Sequence, residues 1–322
     1  MTSGKPQVVC IGLAAWDSIA LVRRHPASDE RTEAVQLTRA GGGPAATAAV
    51  TLARLGVPVA FVGAVGDDPA GRSILGALAD GGVQVDRLRM VPGAQSPESI
   101  ILVDESDGAR AIAAYAGTAG GPSVDRDVER LCRGARWVHL DHIGEPATRV
   151  LRRLLGREGD GIGPRWSLDG GNHIDGLGLA GLDLYGPTCA TLLARSASPS
   201  LDGALQAAID EGCGAVVATR GRHGARALVS GERPFSIAGF TLPVVSTLGA
   251  GDVFHGALLA GLLDGRDLAE AIGRANLAAA LSTAALDGRS AIPTRRELDL
   301  AWVAQRSEAG TSHEAATVSG SP

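Results

Sequence analysis

Aromatic side chains are scarce in this chain: four Phe, two Tyr and four Trp make up 3% of its 322 residues. Proteins that grip single-stranded nucleic acid stack bases on such rings, so that class is disfavoured. A basic excess is also missing. The formal net charge is −5, which argues against the basic face of a nucleic-acid binder. It does not argue against a nucleotide, whose binding is decided by a local field and a bound metal. There are four cysteines, Cys10, Cys132, Cys189 and Cys213, and none forms a CxxC pair. A zinc site or disulfide framework therefore has no basis, and reduced thiols are the expectation. No apolar stretch approaches the ~20 residues of a membrane span. Val8–Ile11 is too short for the core of a signal peptide. These absences together predict a cytoplasmic protein with neither membrane nor nucleic acid as partner.

Hydrophobic residues are plentiful, at 45%, and charged residues stand at 20%. That is enough for one large α/β domain. Apolar runs at 8–12, 59–65, 137–140, 166–169, 182–185 and 215–219 read as buried strands. Between them lie helical patterns at 45–55, 68–80, 146–156, 201–211, 249–263 and 268–286. Strands alternating with helices predict a mostly parallel sheet covered on both faces. Two more polar segments, about 17–40 and 99–115, break the alternation. The second carries a hairpin pattern around 104–108. They are expected to pair as a small separate sheet, a lid over the carboxyl edge where such folds bind ligands. The domain is expected over residues 1–306, with a disordered Ser-, Gly-, Ala- and Glu-rich tail at 307–322.

The most informative residues are 246–254, Ser-Thr-Leu-Gly-Ala-Gly-Asp-Val-Phe. Gly249, Ala250 and Gly251 stand directly before Asp252, which opens an Ala-rich apolar helix. Such a turn aims backbone N–H groups at one spot, at the positive end of a helix dipole. A carboxylate beside that spot can take a proton from a hydroxyl. An anion cradle next to a base is what phosphoryl transfer to an alcohol requires. Asp is also a common helix N-cap, so the four residues GAGD alone fit a purely structural role as well. Pro243, Val244 and Val245 read as a short β segment entering the turn, which favours the functional reading.

Other segments are weaker alone. Thr219, Arg220, Gly221 and Gly224 form a glycine turn after a strand, with donors for phosphates. Asp17, with Gly42, Gly43 and Thr47, can ring a polyol, because carboxylates accept from paired hydroxyls. His139 and His142 flank Asp141 near a strand end. The GxGxxG match at 176–181 is discounted, since no clear strand precedes it and no helix leaves it. P-loop, GxSxG and HExxH motifs are absent.

Taken in order, these segments resemble the PfkB family of carbohydrate kinases, over roughly residues 7–293. The signature DTxGAGDxF falls at 246–254. A Gly-Gly turn leading to a helix that ends Arg-Leu-Gly falls at 42–56, and TxGxxG at 219–224. The wording GGGPAATAAV and GAGDVFHGAL is most similar to bacterial sulfofructose kinases, and Trp137 to Leu140 is similar to ketohexokinases.

The resemblance implies a ribokinase-like three-layer α/β sandwich, with a central mostly parallel sheet and a small β-sheet lid. It implies ATP and Mg²⁺, with Asp252 as base and Gly249, Ala250 and Gly251 as anion hole. Asp17, Gly42, Gly43 and Thr47 would hold the sugar, and Arg31 would face an anionic group. Thr219, Arg220, Gly221, Gly224 and Asn276 would line the nucleotide. A homodimer through the lid is implied as well. Ser246 stands where the signature has an aspartate that helps bind a monovalent cation, so potassium activation is not implied. The magnesium-linked NxxE motif falls near Gly186 to Cys189 without either polar residue, leaving the metal to ATP and water or to Asp169. The expected activity is ATP-dependent phosphorylation of a primary hydroxyl on a ketohexose or derivative, such as fructose or sulfofructose. A nucleoside kinase and a non-catalytic sugar- or nucleotide-binding protein remain the alternatives.

Overall fold

The computed structural model describes residues 4–155 and 163–318. Its centre is a nine-stranded sheet. In chain order the strands are β1 (Val8–Ile11), β4 (Val59–Gly66), β5 (Gln84–Val91), β8 (Trp137–Leu140), β9 (Arg165–Gly170), β10 (Leu184–Pro187), β11 (Ala215–Thr219), β12 (Ala225–Val229) and β13 (Phe235–Ile237). Their spatial order is β13-β12-β11-β10-β9-β8-β1-β4-β5. All pairings are parallel except β11 with β12 and β12 with β13.

Side chains that alternate along a strand serve opposite faces. Val8 and Cys10 join a core that holds α1 (Pro44–Arg54), α2 (Pro69–Asp80), α7 (Ala250–Leu263) and α8 (Leu268–Ser282). Val9 and Ile11 join a second core with α3 (Arg126–Gly134), α4 (Gly144–Leu155), α5 (Cys189–Arg195) and α6 (Leu201–Asp210). The three-layer α/β sandwich expected from the alternation is therefore present. Among the described residues, no helix is long and apolar enough to cross a membrane.

The lid is a separate four-stranded sheet in the order β3-β2-β6-β7. Its strands are β2 (Ala15–Val22), β3 (Ala34–Gly42), β6 (Glu98–Asp104) and β7 (Arg110–Tyr115). Ile19, Leu21, Ile101 and Val103 form its buried inner face, and they pack on Leu248 and Leu286. Lid and glycine loop thus share one small core. Val35, Leu37 and Ile100 remain exposed, at 51%, 69% and 65%.

Two local readings differ from the structure, and three elements were missed. Residues 243–245 are not a strand; Val244 and Val245 are exposed and the segment is a loop, held by the Thr283 carbonyl at Val245 N (2.8 Å) and Ser246 N (3.1 Å). β-branched residues favour strands only where a neighbour offers an edge. The expected disordered tail is helical as far as Val318, in α9 (Arg295–Val318). Its Glu and Ala are good helix formers. Residues 319–322 lie outside the described residues, as does residue 156 of the expected helix 146–156. The edge strand β5 and helices α3 and α5 were missed, being short or polar.

One buried carboxylate organises the carboxyl edge. Asp141, just after β8, accepts from Leu13 N (2.7 Å), Ala45 N (3.2 Å), Ile143 N (2.8 Å) and Gly144 N (3.0 Å). It joins the exit of β1 to the first turns of α1 and α4. A Cβ at Gly12 would overlap this carboxylate. Removing it leaves several buried donors without partners. Asp141→Ala should therefore cost about 3–5 kcal/mol, read as a lower midpoint in urea unfolding with an unchanged slope.

Candidate active site

The site lies along the carboxyl ends of β1, β8, β9, β10 and β11, beneath the lid. Asp17 sits in β2, opposite Ala40 of β3 and Ser99 of β6. The Ser99 hydroxyl bonds to it, but burial outweighs that bond and the Arg289 charge, and raises its carboxyl above the usual range. Its carboxylate lies directly over Gly42, where a Cβ would collide with it. Gly43 has φ +92°, in the left-handed region, and presses on the Leu13 carbonyl, so glycine is required there. Pro44 then begins α1. The sequence-expected group of Asp17, Gly42 and Gly43 is thus brought together. Thr47 lies beneath it, buried, with its hydroxyl accepting from Arg289 Nε at 3.1 Å. Arg31 is not brought to this group. It is exposed in the connection between β2 and β3, past the far end of the strand that carries Asp17.

The glycine loop is fixed from three sides. Ser246 Oγ accepts from Leu248 N (3.1 Å), so serine shapes a local turn where the family signature has aspartate. Thr247 N and Oγ1 both donate to the lid carbonyl of Gly108, at 3.2 and 3.0 Å. Arg110 of β7 donates to Thr247 Oγ1 (2.9 Å). Gly249 has φ +72°, and a Cβ there would stand 2.9 Å from Gly288 Cα. In the first turn of α7, Val253 N bonds to Gly249 O (2.9 Å) and Ala250 N weakly to Thr247 O (3.4 Å). The Gly249, Gly251 and Asp252 N–H groups find no acceptor among the described residues. These are the orphan donors of a helix start, and a Cβ on Gly251 would meet nothing within 4 Å. The cradle is therefore open and suited to an oxyanion.

Asp252 stands at the mouth of that cradle. Burial, reinforced by the Asp169 charge, pushes its carboxyl up to about 7; His255, Arg110 and Arg289 pull the other way. His255 lies one turn along α7, with Nε2 at 3.5 Å from Asp169 Oδ1. Burial alone would lower the His255 ring, but Asp169 holds it above the usual histidine range. Burial opposes ionisation of Asp169, yet the His255 ion pair and the Gly171 N–H hold it below the usual carboxylate range. His139 Nδ1 pairs with Ser167 Oγ (3.0 Å), and burial keeps its ring neutral, at about 3. His139 and His255 are thus support groups under the site.

The TxGxxG turn flanks the same edge. Thr219 ends β11, and its backbone bridges Thr188. Arg220 is exposed, and its N–H donates to Gly224 O at 2.7 Å. Gly221 (φ +55°) faces open space, leaving backbone bare for a ligand. Gly224 (φ +84°) is needed for packing on the Ile237 carbonyl. Asn276 is buried, its amide donating to Ala238 O (3.0 Å), so it braces the loop after β13.

A protein-built magnesium cage does not fit these residues. Among the described residues, no group of three or more His, Cys, Asp and Glu is placed to hold a metal. Asp169 is committed to His255 and Gly171, and Thr188 and Cys189 open α5 without a carboxylate.

Sequence reading missed Arg110, Arg289 and His255 as site residues. His255 was within reach of a pattern argument, being three residues after Asp252 on one helix. The two arginines arrive from distant segments and leave no local signal.

A raised carboxyl at an open amide cradle, in the carboxyl-edge crevice of a mostly parallel sheet and under a β lid, is an arrangement suited to group transfer, and the architecture is the ribokinase fold. The sequence matches the family model for pfkB family carbohydrate kinases over residues 5–149 and 190–295. The chain belongs to that family. It is 27% identical to the ATP-dependent ribose-1-phosphate kinase of Halopiger xanaduensis over 292 residues, 89% of this chain and 95% of that protein. It is 26% identical to Bacillus subtilis ribokinase over 313 residues, 91% of this chain and 98% of that protein. Arabidopsis thaliana ribokinase complexed with ribose and ATP superposes with a TM-score of 0.77, at 24% identity, covering 92% of this chain and 98% of that one.

The raised carboxyl of Asp252 has a stability consequence. Its folded value lies near 7 and its ordinary value at 3.8. Between them the unfolded chain binds fewer protons, so ligand-free stability falls as pH rises through that window. Asp252→Asn should therefore stabilise the ligand-free protein by about 1–2 kcal/mol at pH 8, with no gain at pH 4. Thermal melts at the two pH values test this; an equal Tm change at both would overturn it.

Proposed function

We propose that the protein is an ATP-dependent sugar kinase that phosphorylates a primary hydroxyl by direct in-line transfer. The carrying observation is the part-buried Asp252 carboxyl at the open N–H cradle of α7, raised to about 7. A base near neutrality loses little ionisation at working pH while keeping basicity. ATP supplies the γ-phosphoryl group. Asp17 accepts from acceptor hydroxyls over the Gly42–Gly43 backbone. Asp252 takes the proton of the attacking hydroxyl. The open amides of Gly249, Gly251 and Asp252 stabilise the negative charge that develops, Ala250 N being turned to the Thr247 carbonyl, with Arg110 adding a positive charge from the lid. Thr219, Arg220 and Gly221 offer the nucleotide a bare glycine surface with donors. Asn276 and Gly224 hold the wall behind it. No step depends on a protein-bound metal.

The motif wording favours a ketohexose or derivative such as fructose or sulfofructose. The similar relatives are named for ribose, ribose 1-phosphate and aminoimidazole riboside. A coupled ADP assay against both sugar classes, with nucleosides included, separates these acceptors from a nucleoside kinase. Ligand binding without turnover on any acceptor would support the non-catalytic alternative. With a true acceptor, Asp252→Ala should lose about 10²–10⁴-fold in kcat. Because the ionised form is the base, kcat/KM should rise with pH through about 7 and then level. Near-wild-type turnover in Asp252→Ala would end this mechanism.

The exposed apolar face of the lid supports a homodimer. Leu37 lies beside Ala20 across the β2–β3 pair, and Val35 and Ile100 extend the patch. A small sheet with one apolar face bare gains by covering it with a second copy about a twofold axis. Leu37→Glu should convert a dimer to a monomer in sedimentation velocity. A monomeric wild type would remove the proposal.

A further inference from the structure

We propose that Arg289 is a positioning residue of the transfer site, a fixed interior cation that holds Asp17 and Asp252 in charge balance across the acceptor crevice. The inference rests on the kinase reading above but concerns a residue that the family signatures leave out. Arg289 lies on the turn after α8, 37 residues beyond Asp252 in sequence.

Its backbone is preset. Asp287 Oδ1 accepts from Arg289 N (2.8 Å) and Ser290 N (2.7 Å), while the Ser290 hydroxyl donates to Asp287 Oδ2 (2.6 Å). The same turn presses Gly288 against Gly249 of the anion cradle. The guanidinium then reaches the entrance of α1. Nε donates to Thr47 Oγ1 (3.1 Å) and Nη2 to Gly42 O (2.7 Å). Nη1 is sealed against Gly41 with no hydrogen-bond partner. One planar group therefore ties the sugar-side backbone to the turn that backs the cradle. A lysine has the charge but lacks the fork that makes two bonds at fixed angles.

The charge faces both working carboxylates. Asp17, Asp252 and Asp287 all stabilise the guanidinium, whose value burial lowers to about 10, so it remains protonated at neutral pH. The groups facing Asp252 are Asp169 from β9, His255 from α7, Arg110 from the lid and Arg289. Asp169 is offset by His255. Arg110 belongs to an exposed strand. Arg289 is the interior cation shared by Asp17 and Asp252. Leaving a buried Arg nitrogen unpaired is costly; two carboxylates facing one crevice supply the compensating charge.

The test uses the full ligand-free chain. The Asp252 carboxyl is titrated by ¹³C NMR, with its signal assigned by loss in Asp252→Asn. In Arg289→Met the titration midpoint should move up by about one pH unit. In Arg289→Lys it should stay nearer the wild type. Once an acceptor is in hand, the acid limb of kcat/KM should move up likewise in Arg289→Met, and Arg289→Lys should raise KM more than it lowers kcat. An unmoved Asp252 midpoint in folded Arg289→Met overturns the proposal. Should that variant fail to fold, Thr47→Val removes only the Nε acceptor. A rise in the midpoint then supports the proposal and an unmoved midpoint overturns it. The titration needs no acceptor, so failure of the acceptor screen bears on the kinase reading alone.

Discussion

Four backbone N–H groups converge on the Asp141 carboxylate, and the geometry of the site descends from that convergence. The donors come from the exit of β1 and from the first turns of α1 and α4. A buried charge is tolerated only when its lone pairs are satisfied. Here the satisfaction comes from segments that must meet at the carboxyl edge. The α1 entrance carries Gly42 and Gly43, so its placement decides what backbone lies under the Asp17 carboxylate. A fold with several parallel strands can let their ends drift. A fourfold-bonded carboxylate removes that freedom.

The glycine loop is organised by the same economy of fixed partners. Thr283 holds its entrance, the lid carbonyl of Gly108 holds its middle, and Gly288 backs its last residue. The Gly249, Gly251 and Asp252 N–H groups are left without an acceptor among the described residues. Catalysis by oriented dipoles requires that they not reorganise during the reaction. The lid contributes to this rigidity because its inner face shares a core with Leu248 and Leu286. Lid and cradle are therefore coupled through packing as well as through Arg110.

Charge in the site is offset by nearby opposite charge. Asp169 pairs with His255, and the Arg289 charge acts on both Asp17 and Asp252, whose own burial favours the protonated form. The arrangement costs stability in the ligand-free state and keeps the Asp252 carboxyl near neutral pH.

The sequence by itself determined the sheet class, the glycine loop before Asp252, the Gly-Gly entrance to α1 and the lid segments. These are local patterns: strand and helix periods, and glycine turns such as those at Gly43 and Gly249, where a positive φ favours glycine. Tertiary structure alone decided that residues 243–245 are a loop, because no strand edge stands beside them. It decided that Thr47 serves Arg289 and Asn276 braces a loop, because their polar groups meet buried carbonyls and guanidinium first. It also left Arg31 exposed beyond the end of β2 and brought Arg110 and Arg289 in. Charges on separate segments interact through space, and chain order does not encode which of them will meet.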